Sequence, residues 1–151
     1  MARIMVVANQ TLGCPELEAA LAPHLDDAAA TAVHIVAPVA EIEGEQQWDY
    51  PPVDRYIPNP IQIAHELSAG RLQRQLEVLQ SRGVEASGEV VDHDPVARVK
   101  TLLAESTFDL VLVCTLPERL SRWLRRDLPR RLAHATTVPV EHVPGSAGPS
   151  L

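Results

Sequence analysis

The sequence contains few cysteines and few aromatic residues. Only two of its 151 residues are cysteine, and 3% are aromatic. The cysteines, Cys14 and Cys114, are far apart in the chain, so they form neither a CxxC pair nor the ligand spacing of a zinc site. Cys114 lies inside an apolar run, which favours a buried thiol.

Long apolar runs and an excess of positive charge are also missing. No apolar run approaches the ~20 residues of a membrane-spanning helix, and the N-terminus enters a strand-like run at Arg3 without the apolar region of a signal peptide. We therefore expect a cytoplasmic protein with no membrane partner. The formal net charge of -7 does not supply the broad basic field that general nucleic-acid binding requires, so we expect no nucleic-acid partner.

Motifs of common catalytic sites are absent as well. The sequence has no Gly-x-Ser-x-Gly elbow, no phosphate-binding P-loop and no helical His-Glu-x-x-His, and its six histidines form no pair with metal-ligand spacing. We therefore predict no catalytic residue, no metal site and no enzymatic activity. His93 lies between Asp92 and Asp94, where it could act as an acid or base or simply form hydrogen bonds within its turn.

The sequence does contain a regular succession of strands and helices. Apolar runs predict strands over residues 3–8, 32–39, 109–114 and 138–143, and an alternating pattern predicts a further strand over 84–91. Helices are predicted over 15–25, 61–81 and 95–106 and in the basic segment 119–131. This order predicts one α/β domain over residues 1–144, with a doubly wound, mainly parallel five-stranded sheet and helices on both faces. The alternation places strand 84–91 at a sheet edge, and residues 145–151 are predicted to be a disordered tail.

The longest predicted helix, 61–81, has one apolar and one charged face. Its apolar stripe is formed by Ile63, Leu67, Leu72, Leu76 and Leu79. Arg71, Arg74, Glu77 and Arg82 are interpreted as its solvent face. Gly83 is expected to end the helix.

Residues 41–60 interrupt this pattern. The segment is acidic at first and then rich in proline, with Trp48 and Tyr56 among its aromatic residues. Such a proline density excludes regular elements, and loops of this length in compact domains are often functional. The loop is therefore either a lid, a dimer contact, or an excursion held to the surface by its aromatic residues.

The basic segment after the fourth predicted strand allows two interpretations. Arg122 and Arg126 are spaced four residues apart and share a helical face, where guanidinium groups could bind an anion. Alternatively, the arginines form a solvated face paired with acidic residues. Thr115 and Glu118 fit a capping box. Asp127, followed by Leu-Pro, fits a second cap, which predicts two short helices with a break between them.

Four segments together resemble the universal stress protein family. They are residues 6–11 (VVANQT), 91–95 (VDHDP), 109–113 (DLVLV) and 134–143 (HATTVPVEHV). In the family the matching segments are an apolar strand ending in Asp-Gly-Ser, a Gly-Asp-Pro turn, an Asp-Leu-Ile-Val-Met strand and a His-Ala-Pro-Cys-Pro-Val ending. The resemblance covers most of the chain and implies the family's fold and its homodimeric assembly.

The sequence departs from the family where nucleotide-binding members contact their ligand. Those members carry G-x-x-G followed nine residues later by G-[ST], and these glycines let backbone amides approach phosphates. Residues 114–127 contain no glycine here, and Arg126 and Asp127 stand in place of Gly-Ser. Asn9 matches the family's adenine-contacting aspartate, and His93 matches the glycine of Gly-Asp-Pro. The resemblance therefore does not carry over the family's ATP site.

These observations favour a universal stress protein-like regulatory domain for stress adaptation that does not bind ATP in the usual family manner and needs no cofactor. Its expected partners are a second copy, paired through the last strand from Val138 to Val143, and an unidentified protein. The alternative is a nucleotide- or small-anion-binding module for ATP or AMP with a rebuilt, arginine-containing phosphate site. That site would use Asn9, Thr11, His93, Thr115, Arg122 and Arg126. A third possibility, a hydrolase of an adenylated compound, depends on fold analogy alone.

Overall fold

The computed structural model describes residues 2–39, 60–91, 95–115, 122–146 and 148. Of residues 60, 61, 64 and 122–127 it describes the backbone only. The strands are β1 (Ala2–Val7), β2 (Thr31–Pro38), β3 (Glu85–Val91), β4 (Leu110–Thr115) and β5 (Val140–Pro144). The helices are α1 (Pro15–Leu21), α2 (Pro60–Ser81), α3 (Pro95–Glu105) and α4 (Arg122–Ala135), with two 3₁₀ turns at Ala22–Leu25 and Ala28–Ala30.

The five strands form one sheet in the order β3-β2-β1-β4-β5. Every neighbouring pair is parallel, so the predicted doubly wound α/β fold is confirmed and the sheet is wholly parallel. β3 lies at an edge, as its alternating sequence predicted. β1 has β2 on one side and β4 on the other, so the strand order reverses between β1 and β4. Doubly wound folds bind their ligands at this switch point, beyond the carboxyl ends of the strands.

The strand residues alternate between two apolar layers, one on each face of the sheet. Ile4, Val6 and Leu112 face the layer that contains Leu17 of α1 and Leu79 of α2. Met5, Val7, Val111 and Val113 face the opposite layer, where Val99 of α3 and Leu132 of α4 cover them. Because both faces are covered, the central strands read as continuous apolar runs.

Two predicted helix boundaries were wrong. The first helix was predicted to end at residue 25, but α1 ends at Leu21 and a 3₁₀ turn follows. Pro23 lies within that turn and lacks the N–H that would continue the α-helical ladder. The predicted break near Asp127 is also not observed, because α4 continues through Pro129. Leu128 and Leu132 on either side of the proline are buried against the sheet, and this packing outweighs the lost hydrogen bond.

The remaining sequence predictions have mixed outcomes. Gly83 follows α2 with a φ of 84°, as expected for a C-terminal glycine. Thr115 is the last residue of β4; the capping box predicted for Thr115 and Glu118 extends into residues 116–121, outside the described residues, and stays a prediction. The predicted loop over residues 41–60 and the turn that contains His93 lie outside the described residues, apart from Pro60, which begins α2. None of the helices in the described ranges has the length and hydropathy to cross a membrane.

Candidate functional site

The candidate site lies at the switch point, where the loop after β1 (residues 8–14) meets the end of β4. Asn9 and Thr11 belong to this loop, and Thr115 ends β4. All three side chains are buried, with at most 3% of each residue exposed. The structure therefore brings together three of the six residues that the sequence singled out.

Asn9 connects β1, β2 and α2 through its side-chain amide. Its Nδ2 donates to the carbonyl oxygen of Pro38 at 2.7 Å and to Oγ of Ser68 at 2.8 Å. Its Oδ1 accepts a hydrogen bond from the Arg71 guanidinium at 3.1 Å. Both amide hydrogens and the carbonyl oxygen thus have partners within the protein.

Arg71 is half-buried beside this amide. Burial lowers the pKa of Arg71, because a charged group is less stable away from water. Among the described residues no carboxylate forms an ion pair with its guanidinium. Arg71 also borders a cavity of about 130 Å³ in which Gln75 is buried with no hydrogen-bond partner for its Nε2. The other lining residues are Leu12, Gly13, Glu18, Arg74 and Val78.

Two threonines join the neighbouring strands. Oγ1 of Thr11 donates to the carbonyl oxygen of Cys114 at 3.1 Å, which connects the loop after β1 to β4. Oγ1 of Thr115 lies 2.7 Å from Nε2 of His142, which connects β4 to β5. Each hydroxyl therefore has a partner in the protein that a ligand would have to displace or share.

The described residues of the C-terminal tail lie against the same loops. The Gly145 N–H donates to the Thr115 carbonyl at 2.8 Å, and the Gly148 N–H donates to the Gln10 carbonyl at 2.7 Å. Oγ of Ser146 donates to a carboxylate oxygen of Glu16 at 2.9 Å. We call Gly145, Ser146 and Gly148 the C-terminal strap. The sequence predicted a disordered tail over 145–151. The structure describes three of these residues, which lie between β4 and the loop after β1, and the disorder of the tail stays a prediction.

Three predicted site residues cannot be placed. His93 lies outside the described residues, and of Arg122 and Arg126 only the backbone, in the first turns of α4, is described. Their participation in a site stays a prediction. Sequence reasoning missed Ser68 and Arg71, and it assigned Arg71 to solvent. Ser68 and Gln75 continue the buried stripe of Leu72 and Leu79 at helical spacing. Polar residues within an apolar stripe were therefore the sequence signal for buried polar contacts on this helix.

A second cavity, of about 340 Å³, lies at the opposite end of the sheet, near the amino ends of β1, β2 and β3. His34 lines it, with Nδ1 2.8 Å from Oγ of Ser87 and with no hydrogen-bond partner for Nε2. Burial lowers the pKa of His34, and the charge of Arg98 also lowers it against the opposing effect of Glu89. No group of acidic, histidine or cysteine side chains suited to a metal ion occurs in the described part of the chain.

Comparisons with known proteins agree with this architecture. No protein-family model and no curated protein matches the sequence. A universal stress protein from Archaeoglobus fulgidus in complex with dAMP matches with a TM-score of 0.57 and 11% identity, over 95% of this chain and 98% of its own. A universal stress family protein from Burkholderia pseudomallei gives 0.55 and 21%, over 94% and 96%.

A third match is a universal stress family protein from Arabidopsis thaliana with AMP bound. Its TM-score is 0.56 and its identity 14%, over 97% of this chain and 94% of its own. The three structures cover nearly the whole chain at low sequence identity. Together with the strand order, they show that this chain has the fold of the universal stress proteins.

Proposed function

We propose that this chain is a universal stress protein-type regulatory domain that does not bind ATP in the usual manner of that family. The observation that carries the proposal is the hydrogen bonding of the Asn9 side chain. It stands where the resemblance places an adenine-contacting aspartate, and its amide is fully engaged by Pro38, Ser68 and Arg71. We expect the protein to act in the cytoplasm, in stress adaptation, through a protein partner.

The energetic cost of opening this site supports the proposal. A ligand that used Asn9 would have to replace three hydrogen bonds in a buried position, and leaving a buried group unpaired costs about 1–3 kcal/mol. The C-terminal strap adds its own bonds to Gln10 and Thr115 across the same edge. The sequence offers no glycine between residues 114 and 127 to hold a phosphate in return.

A specific observation favours the second candidate, an adenine-nucleotide or small-anion module. Arg71 is a half-buried guanidinium with no acidic partner among the described residues, and it lies beside the strand ends. A phosphate or carboxylate would supply the missing countercharge. The AMP and dAMP complexes of proteins with this fold are consistent with this candidate.

Thermal unfolding with ATP or AMP, each with and without magnesium, separates the two candidates. A ligand at 100 times its dissociation constant stabilises a protein by about 2.7 kcal/mol, which corresponds to roughly 5–10 °C at this size. We expect no shift. A shift that disappears in Arg71→Gln but persists in Arg82→Gln, an exposed arginine that follows α2 and pairs with Glu18, would support the second candidate. A shift that both variants keep would contradict the first candidate and would show that Arg71 does not supply the countercharge in the second.

We also propose a homodimer paired through β5, at the edge of the sheet. The Pro139 carbonyl accepts the Val111 N–H, and the Gly145 N–H donates to Thr115. Because backbone groups alternate along a strand, odd-numbered residues of this strand face β4 and the even-numbered ones face outward. The missing N–H of Pro139 therefore does not interrupt the outer edge.

A further inference from the structure

The two cysteines of the chain, which belong to different elements, meet beside the candidate site. Cys14 precedes α1 and Cys114 lies in β4. Both are buried free thiols, and their Sγ atoms are 4.0 Å apart. The sulfurs would need to approach by about 2 Å to reach disulfide bonding distance. Side-chain rotations can supply a movement of that size, so the pair is close enough to be joined.

The C-terminal strap covers this pair of thiols. A Cβ on Gly145 would lie 2.7 Å from Sγ of Cys114 and 3.1 Å from Sγ of Cys14, so the backbone of Gly145 rests directly on both sulfurs. Gly148 holds the strap further along, where a Cβ would overlap the Leu12 carbonyl oxygen. A side chain at Gly148 would therefore overlap backbone, and one at Gly145 would require the sulfurs to shift. An oxidant can reach the sulfurs from this side only when the strap moves away.

We propose that Cys14 and Cys114 are a protected dithiol, which a hydroperoxide converts into an intramolecular disulfide when the C-terminal strap is displaced. One thiolate attacks the O–O bond, which forms a sulfenic acid and releases the alcohol, or water from hydrogen peroxide. The sulfur of the second cysteine then attacks that sulfenic acid, which forms the S–S bond and releases water. Two thiols lose two electrons and two protons, and the peroxide is reduced.

The surroundings of the two sulfurs assign their order in the reaction. Burial raises the pKa of the Cys114 thiol to about 12, so its nucleophilic thiolate is scarce at neutral pH. Sγ of Cys14 instead lies at the start of α1, where it accepts a hydrogen bond from the Leu17 N–H at 3.4 Å. Because the thiolate of Cys114 is scarce, Cys14 attacks the peroxide, and Cys114 closes the disulfide.

The disulfide would tie the loop after β1 to β4, across the switch point. Thr11 already bonds to the carbonyl of Cys114 there, and the covalent link would fix the same two segments. The disulfide would thus form only after the strap is displaced, and it would hold together the two segments that the strap had covered, the loop after β1 and β4. This inference does not depend on nucleotide binding. A negative result in its test therefore does not bear on the proposed function, and a negative thermal-shift result does not bear on the inference.

The experiment treats the reduced full-length protein with hydrogen peroxide and quenches it with an alkylating reagent over time. Intact mass and non-reducing peptide mapping then measure the linked Cys14–Cys114 peptide. We expect one disulfide within each chain, and none in Cys14→Ser or Cys114→Ser. Gly148→Val, which displaces the strap without touching the thiols, should form the disulfide about tenfold faster, the change expected when roughly one net hydrogen bond is lost.

A milder pair of variants keeps the test decisive if Gly148→Val does not fold. Ser146→Ala removes only the strap's bond to Glu16 and should accelerate the reaction about two- to threefold, for a bond at the weak end of the usual range. Ser81→Ala, which loses a comparable exposed bond at the end of α2, should leave the rate unchanged. Disulfides between chains, separate oxidation of both thiols without a link, or equal rates in the wild type and the strap variants would overturn the proposal.

Discussion

At the scale of single residues, His34 makes a testable contribution to stability. Its folded-state pKa lies below its ordinary value of 6.5, chiefly because of burial. The unfolded chain therefore binds more protons below about pH 6.5, and the histidine favours unfolding as the pH falls through that value. Above that range it is neutral in both states and has no such effect.

We expect the free energy of unfolding to fall between pH 7.5 and pH 5 by less in His34→Gln than in the wild type. Urea titrations at the two pH values measure this difference. Glu89 and Arg98 face the imidazole and form an ion pair with each other. Arg98→Gln therefore serves as a control, which measures how much of the pH dependence comes from this ion pair and not from His34 itself. An equal pH dependence in the wild type and His34→Gln would contradict the assignment.

The position of the candidate site could be predicted from the sequence, but the hydrogen bonds of its side chains could not. The polar residues Asn9, Thr11 and Thr115 follow apolar runs, so their place at the strand ends could be read from the sequence. Their partners could not, because Ser68 and His142 approach through tertiary packing of segments distant in the chain. Hydrogen bonds of this kind leave no local periodicity.

At the scale of elements, hydrophobic periodicity was sufficient to predict an element where the burial of apolar side chains alone determines the local structure. Buried strands read as apolar runs because both faces of the sheet are covered, and the edge strand β3 reads as an alternation. All five strands were placed within two residues of their observed ends. α4 could not be derived in the same way. Local propensity at Pro129 favours a break, whereas the burial of Leu128 and Leu132 keeps the helix continuous. The competition between these effects is decided only by the tertiary structure.

Pro129 should therefore lower the stability of α4, because it removes a backbone hydrogen-bond donor from the helix. An alanine would restore the backbone donor to the ladder, and proline costs about 3 kcal/mol relative to alanine inside a helix. We expect Pro129→Ala to raise the free energy of unfolding by about 1–3 kcal/mol, measured by urea denaturation. Arg130→Ala, an exposed neighbour, should change it by no more than about 0.5 kcal/mol. Unchanged or lower stability in Pro129→Ala would mean that the helix requires the proline's geometry.

At the scale of the whole molecule, the strand order determines where the C-terminal strap lies. β5 is parallel to β4 and ends at the carboxyl edge of the sheet, so residues after Pro144 leave the sheet beside the switch point. The composition of the tail predicts disorder, but composition carries no information about contacts with distant segments. Hydrogen bonds to Gln10, Glu16 and Thr115 come from two other segments, and only the assembled sheet brings them within reach.

The same strand order leaves β5 with an outer edge, on which the proposed dimer depends. Val140 is an even-numbered residue of this strand, so its N–H and carbonyl point away from β4 and are available to a second copy. Val140→Pro removes that outward donor, and the bonds of β5 to β4 run through its odd-numbered residues. Light scattering after size-exclusion chromatography should therefore find a dimer for the wild type and a monomer for Val140→Pro. Val140→Thr keeps both the N–H and the β-branched shape and should stay dimeric. A monomeric wild type, or a dimer that survives Val140→Pro, would show that β5 does not join the subunits.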